Sequence, residues 1–191
     1  LDAKLRVDLR RDIRALQQQL DITTVYVTHD QEEALSISDR VCVMHDGVVQ
    51  QVDTPWAVYN RPANRFVATF VGSNNFLPVT RDAEGRTLLL GQALPLPAAA
   101  GTAGAVAAVR PEKVRVDRAL EGPGVQCDAV VRQAMFAGRE LQLTLQVEGH
   151  GTLDALVEPS EAMMSHRPGD RVRLAVHARD LLCFAPGDTG A

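Results

Sequence analysis

Apolar residues are spaced in two different ways on either side of Gly72, and that change limits the fold more than any other feature. Before it, they recur at helical intervals or in one continuous β-branched run. After it, they alternate with polar residues in short runs broken by Gly, Pro and Asp. Helical periodicity beside a buried-strand pattern describes an α/β portion, whereas repeated short alternation describes an all-β module. The chain therefore reads as two domains, 1–72 and 75–191, meeting at Ser73 to Asn75.

In the first domain Leu1, Leu5, Leu9, Ile13, Leu16 and Leu20 step by three or four, which sets them on one stripe of a helix whose other face is Arg, Lys, Asp and Gln. Residues 22–28 follow with near-continuous apolarity and β-branching, the pattern of an inner parallel strand. Asp30, with Glu33 three positions on, has capping spacing and predicts a short helix ending at Ser36 or Ile37. Asp46-Gly47 supplies the positive φ angles of a tight turn between two strands, 40–45 and 48–52. Thr54 before Pro55 predicts an N-cap and a helix over 56–59, with another helix over 63–70.

Beyond Gly72 the clearest strands are 106–109, 114–116, 125–131, 141–147, 153–157, 172–176 and 181–184. The segment 141–147 alternates strictly, so one face is buried and the other wet, as in a small barrel or sandwich. The Ala- and Pro-rich stretch 94–105 reads as a loop.

Composition narrows the function classes. A net charge of −4 gives no general attraction to nucleic acid or anionic lipid. After residue 74 there are 12 basic and 14 acidic side chains, a balance of −2, and the aromatics are Phe76, Phe136 and Phe184, too few for base stacking. Nucleic acid is thus not an expected partner. Cys42, Cys127 and Cys183 are odd in number and widely spaced, which disfavours a disulfide framework or a zinc site and fits a reducing cytoplasm. His45, His150, His166 and His177 lack metal-ligand spacing, so no metal ligand is assigned. No apolar run reaches the roughly 20 residues needed to cross a bilayer. The chain opens on Leu1-Asp2-Ala3, inside a helical pattern, and reads as part of something longer.

The segment with most chemistry is Thr28-His29-Asp30-Gln31-Glu32-Glu33-Ala34-Leu35. It sets a histidine between the end of the predicted strand and a helix start, where open α/β sheets bind ligands and helix amides favour anions. Taken alone, a histidine at a capped helix start satisfies local hydrogen bonds. Glu32 and Glu33, in a first helical turn, complement the helix dipole and are assigned no chemistry.

Together with the Asp46-Gly47 hairpin, with Asp53-Thr54-Pro55-Trp56 and with Pro62-Ala63-Asn64-Arg65-Phe66-Val67 followed by Phe70-Val71-Gly72, this segment resembles the last third of the ATPases of ATP-binding cassette (ABC) importers. The subgroup it is similar to serves sugars, spermidine, ferric iron and related solutes, and carries a C-terminal β domain called TOBE. Val109-Arg110-Pro111-Glu112-Lys113-Val114 resembles the start of that domain.

The resemblance implies a fold: an α/β part of an ABC ATPase domain, followed by an all-β OB/MOP-like TOBE barrel. It implies that His29 contacts the γ-phosphate of ATP and that Asp2 belongs to the D-loop at a dimer interface. ATP and Mg²⁺ are the implied cofactors. Implied partners are a second copy forming a homodimer, transmembrane permease subunits and, indirectly, an external solute-binding protein. The implied location is cytoplasmic, on the inner face of a bacterial plasma membrane. Asp53 stands where the family has glycine. These 191 residues contain no G-x-x-x-x-G-K-[ST] loop to cradle phosphates, so the chain alone is not expected to hydrolyse ATP. The alternative is a non-enzymatic β module that binds a small ligand or an oxyanion and regulates a partner.

Overall fold

In the computed structural model, residues 3–96 and 102–188 are described, side chains from Leu5 onward. Residues up to Gly72 form one compact unit, and Ser73–Asp188 form another.

The first unit begins with α1, Ala3–Leu20, packed against α2, Gln31–Ile37. The face of α1 turned inward carries Arg10, Ile13, Arg14 and Gln17, while Leu5, Leu9, Leu16 and Leu20 are about half exposed. The leucine stripe therefore lies outside the unit's own core, because no apolar surface among the described residues covers it. Residues 22–28 correct the sequence reading. They have no regular secondary structure and belong to no sheet, and Val25 and Val27 are 87% and 91% exposed. A strand is defined by its hydrogen-bonded neighbours, and a run suited to burial on both faces stays single when no strand lies beside it.

The hairpin forms as read: β1, Val41–His45, pairs antiparallel with β2, Val48–Asp53. Asp46 and Gly47 adopt φ of 47° and 78°, the double left-handed turn that matches strand twist. Two short helices follow, α3 (Pro55–Asn60) and α4 (Arg65–Phe70), each N-capped: Thr54 Oγ1 accepts from the Ala57 amide and Asn64 Oδ1 from the Val67 amide. The core here is small, Val41, Val43, Val58, Val67 and Val71.

The second unit is built almost wholly from antiparallel strands. In chain order they are β3 (Asn75–Pro78), β4 (Thr80–Arg81), β5 (Thr87–Leu89), β6 (Gln92–Ala93), β7 (Val106–Val109), β8 (Arg115–Val116), β9 (Gly124–Phe136), β10 (Leu141–Val147), β11 (Gly151–Val157), β12 (Arg171–His177) and β13 (Leu181–Phe184). A single helical turn, α5 (Glu161–Met164), follows β11. The largest sheet has the order β11-β10-β9-β12-β8, beside β13-β7-β3 and β4-β5-β6.

Strand β9 serves two neighbours, β12 along its first half and β10 along its second, with a register shift opposite Thr144 and Leu145. Such a bulge bends a long strand and lets one sheet curl around a core. Leu141, Leu143, Leu145 and Val147 all point into that core, as strict alternation requires.

Two side-chain amides pair with strand backbone. Asn75 Nδ2 donates to the Asp154 carbonyl at 2.8 Å, and Asn75 Oδ1 accepts from the Asp154 amide at 2.7 Å. Gln92 does the same to both backbone groups of Gln126, at 2.7 and 3.3 Å. Each side chain thereby joins one sheet to another: Asn75 sits in β3 and Asp154 in β11, Gln92 in β6 and Gln126 in β9.

Candidate functional site

His29 lies between the unpaired segment 22–28 and the start of α2, beside a hollow of about 460 Å³ lined by Arg6, Val7, Arg10, His29, Asp30, Gln31 and Glu32. The backbone on both sides of it is fixed. Thr28 Oγ1 accepts from the Asp30 amide at 2.9 Å and donates to Glu33 Oε2 at 2.8 Å. Asp30 Oδ1 in turn accepts from the Glu33 amide at 3.1 Å, capping α2. The imidazole is exposed and makes no hydrogen bond among the described residues.

The capping carboxylate changes the electrostatic reading of the helix start. Asp30 already accepts from the Glu33 amide, so the cap takes up one of the donors at the start of this seven-residue helix and sets a carboxylate beside it.

Arginines from α1 hold the segment in place. Arg10 donates to Asp30 Oδ2 at 3.0 Å and to Glu32 Oε2 at 3.1 Å, and Arg6 lies 4.0 Å from the same Asp30 oxygen. Arg14 forms a two-pronged pair with Asp39. These contacts leave a signature in the titration of the acids. The Glu33 amide, followed by the charge of Arg10, holds the Asp30 carboxyl below its ordinary range, and the Arg14 hydrogen bond does the same for Asp39. The Arg10 guanidinium is raised, first by its hydrogen bond to Glu32. Tyr26 is raised by the charge of Glu33, to which its hydroxyl donates at 3.2 Å.

Several of these residues carry roles that the sequence reading did not assign. Glu33 is not merely a solvated dipole partner, since it receives both Thr28 and Tyr26. Arg6, Arg10 and Arg14 recur at every fourth residue, so their shared helical face was visible in the spacing, although the acids it meets were not. Gln31 fixes the other end of the site: its Oε1 accepts from the Gly72 amide at 2.9 Å. Asp2 lies outside the described residues.

The other histidines lie elsewhere, and His150 is exposed. His45 stacks on Phe66 with ring centroids 4.1 Å apart, His166 Nε2 lies 3.2 Å from Asp117 Oδ2, and His177 is buried at the end of β12. Among the described residues no group of three or more His, Cys, Asp and Glu is placed to hold a metal ion. None of the described helices is long and apolar enough to cross a membrane.

Comparisons with known proteins bear on both units. The family model described as the TOBE domain matches residues 107–184. An uncharacterized ABC transporter ATP-binding protein of Sinorhizobium fredii is 41% identical over 100% of this chain and 51% of its own length. A spermidine/putrescine import ATP-binding protein of Rubrobacter xylanophilus is 42% identical over 95% of the chain and 50% of its own. The Fe(3+) ions import ATP-binding protein of Escherichia coli is 37% identical over 97% of the chain and 51% of its own. The chain thus spans about half the length of the curated relatives it matches. Among solved structures, the cytoplasmic molybdate-binding protein ModG is similar over 60% of this chain and 96% of its own, at a TM-score of 0.45 and 16% identity, a likeness too distant to carry an assignment.

Proposed function

Since the chain belongs with the ABC importer ATP-binding subunits and carries a TOBE domain at 107–184, we propose that it is part of an ATPase whose nucleotide cycle drives solute uptake through membrane permeases. In this reading residues 1–72 are the C-terminal portion of the nucleotide-binding domain, and His29 is the group that meets the γ-phosphate. The carrying observation is an exposed imidazole whose backbone is fixed on both sides while its ring has no hydrogen-bond partner among the described residues. A fixed donor aimed at the transferring phosphoryl group stabilises the charge that develops there without reorganising as the reaction proceeds.

Arg10 and Gln31 act as positioning residues. Arg10 orders Asp30 and Glu32, and Gln31 ties the turn to Gly72. ATP and Mg²⁺ would be bound by the longer protein. No residue described here is assigned to Mg²⁺, and the chain by itself is not expected to turn over ATP. Asp2 would lie at the contact between two ATPase subunits. The TOBE domain would hold the homodimer together and offer a regulatory surface. The assembly would sit on the cytoplasmic face of the membrane through its permeases, with an external solute-binding protein delivering cargo.

The test is His29→Ala in the full-length protein. ATP turnover is expected to fall at least ~10²-fold, about 2.7 kcal/mol of transition-state stabilisation, with nucleotide affinity little changed. Turnover within a few-fold of the parent would remove His29 from the mechanism.

A further inference from the structure

The chain passes from the first unit to the second at Gly72 and Ser73, and hydrogen bonds hold it on both sides of that step. The Gly72 amide donates to Gln31 Oε1 at 2.9 Å, and the Ser73 carbonyl accepts from Arg110 Nη1 at 3.2 Å. Each bond stays within its own unit. Gln31 is the first residue of α2 and follows His29 by two positions, whereas Arg110 is buried between β7 and the 3₁₀ turn Pro111–Lys113. Gly72 has a φ of 91°, a left-handed conformation that glycine takes without strain.

Both bonds join a side chain to backbone, across 41 and 37 residues, and neither belongs to a helix or a sheet ladder. Either can therefore break and re-form without unravelling an element. A single bond of this kind shifts an equilibrium about fivefold, within the range by which one site biases another. Gln31 also shares its turn with His29, where the Thr28 and Asp30 side chains fix the backbone. A ligand that tightens this turn tightens the start of α2, and with it the acceptor of the Gly72 amide.

Taking His29 to be the group that meets the γ-phosphate, we propose that the Gln31–Gly72 bond is a latch that carries nucleotide occupancy to the β unit. It engages when the terminal phosphate holds the His29 turn, and its state passes through Ser73 to Arg110 and the turn 111–113. Coupling of this kind is reciprocal, so disturbing Arg110 changes nucleotide affinity by the same factor.

The test is hydrogen–deuterium exchange of the full-length protein, with and without Mg²⁺ and a non-hydrolysable ATP analogue added to saturation. The analogue is expected to slow exchange about fivefold at 29–33, at the Gly72 amide and at the Lys113 amide, which donates to the Arg110 carbonyl at 2.9 Å. Gln31→Ala removes the acceptor, so the slowing at Gly72 and Lys113 should vanish while that at 29–33 remains. Gln31→Glu keeps an acceptor oxygen and should keep the slowing at all three places. Gly72→Ala strains the backbone at φ 91° and alters no residue of 28–37, yet should act as Gln31→Ala does.

No slowing at 29–33 in the saturated parent would remove His29 from the nucleotide, and the latch with it. Slowing at 29–33 without slowing at Gly72 or Lys113 would overturn the latch alone. So would slowing at Lys113 that survives Gln31→Ala or Gly72→Ala, or that is lost in Gln31→Glu.

Discussion

Among the described residues the β unit buries 21 apolar residues in one core cluster, from Leu77 to Leu181, whereas the helical unit's cluster has five, all of them valine. The difference lies in the kind of apolar pattern each segment carries. An alternating strand such as β10 needs one covering layer, which its own unit provides, and its polar residues face solvent. The run 22–28 has apolar residues on both faces, and the leucines of α1 need an apolar surface that the described residues do not supply. One region is complete in its packing. In the other, a small valine core holds the hairpin and short helices, α1 is joined to it through the ion pairs of Arg10 and Arg14, and the leucines of α1 stay exposed.

The contrast is sharpest in the cores. Leu174→Ala removes a fully buried side chain of the β unit and is expected to cost about 2–5 kcal/mol, measured by urea unfolding of this chain. A cost below about 1 kcal/mol would mean the β core is loosely packed and the comparison fails. Next in size is Asn75→Ala, which strips both backbone groups of Asp154 of their partner. A loss of about 1–3 kcal/mol is expected, and a neutral result would mean that water replaces the amide without penalty.

A third effect is pH-dependent and confined to the helical unit. Asp30 and Asp39 have folded-state pKa values below those of the unfolded chain, so their bonds contribute fully above about pH 3.9 and are lost as pH falls through the lowered values. Acidification should therefore shift the amides of α1 and of 30–39 while those of β10 hold. Concerted loss of α1 and β10 would contradict a charge-held helix. Smallest of all is Val27→Ser, expected to change stability by no more than about 0.5 kcal/mol because Val27 is already 91% exposed. A larger loss would show that residues 22–28 are packed in solution.

Legibility followed the same division between local and distant causes. The Asp46-Gly47 hairpin, the Asp30 and Thr54 caps and the faces of β10 could be read because each is set by residues adjacent in sequence. The short strands β3 to β6 could not. They are two to four residues long, and the β5–β6 turn uses Leu90 at φ 48° before Gly91, a conformation that leucine does not announce. Strand β9 was read as seven residues, 125–131, and has thirteen; the register shift after Val131 interrupts the alternation on which such a reading depends. The inner strand at 22–28 failed for the opposite reason. Its composition suits burial on both faces, but nothing local could say whether neighbouring strands were present.

At the site, the position of His29 between the segment 22–28 and α2 was local, whereas its supports were not. Arg10 reaches Asp30 and Glu32 across some twenty residues and Gln31 reaches Gly72 across forty-one, distances over which periodicity carries no information.

The central claim concerns one ring, and it can be measured directly in the full-length protein bound to Mg²⁺ and a non-hydrolysable ATP analogue. A crystal structure of that complex should place a nitrogen of His29 about 2.7–3.2 Å from an oxygen of the terminal phosphate. A His29 ring turned away from the nucleotide, with another residue contacting that oxygen, would contradict the account.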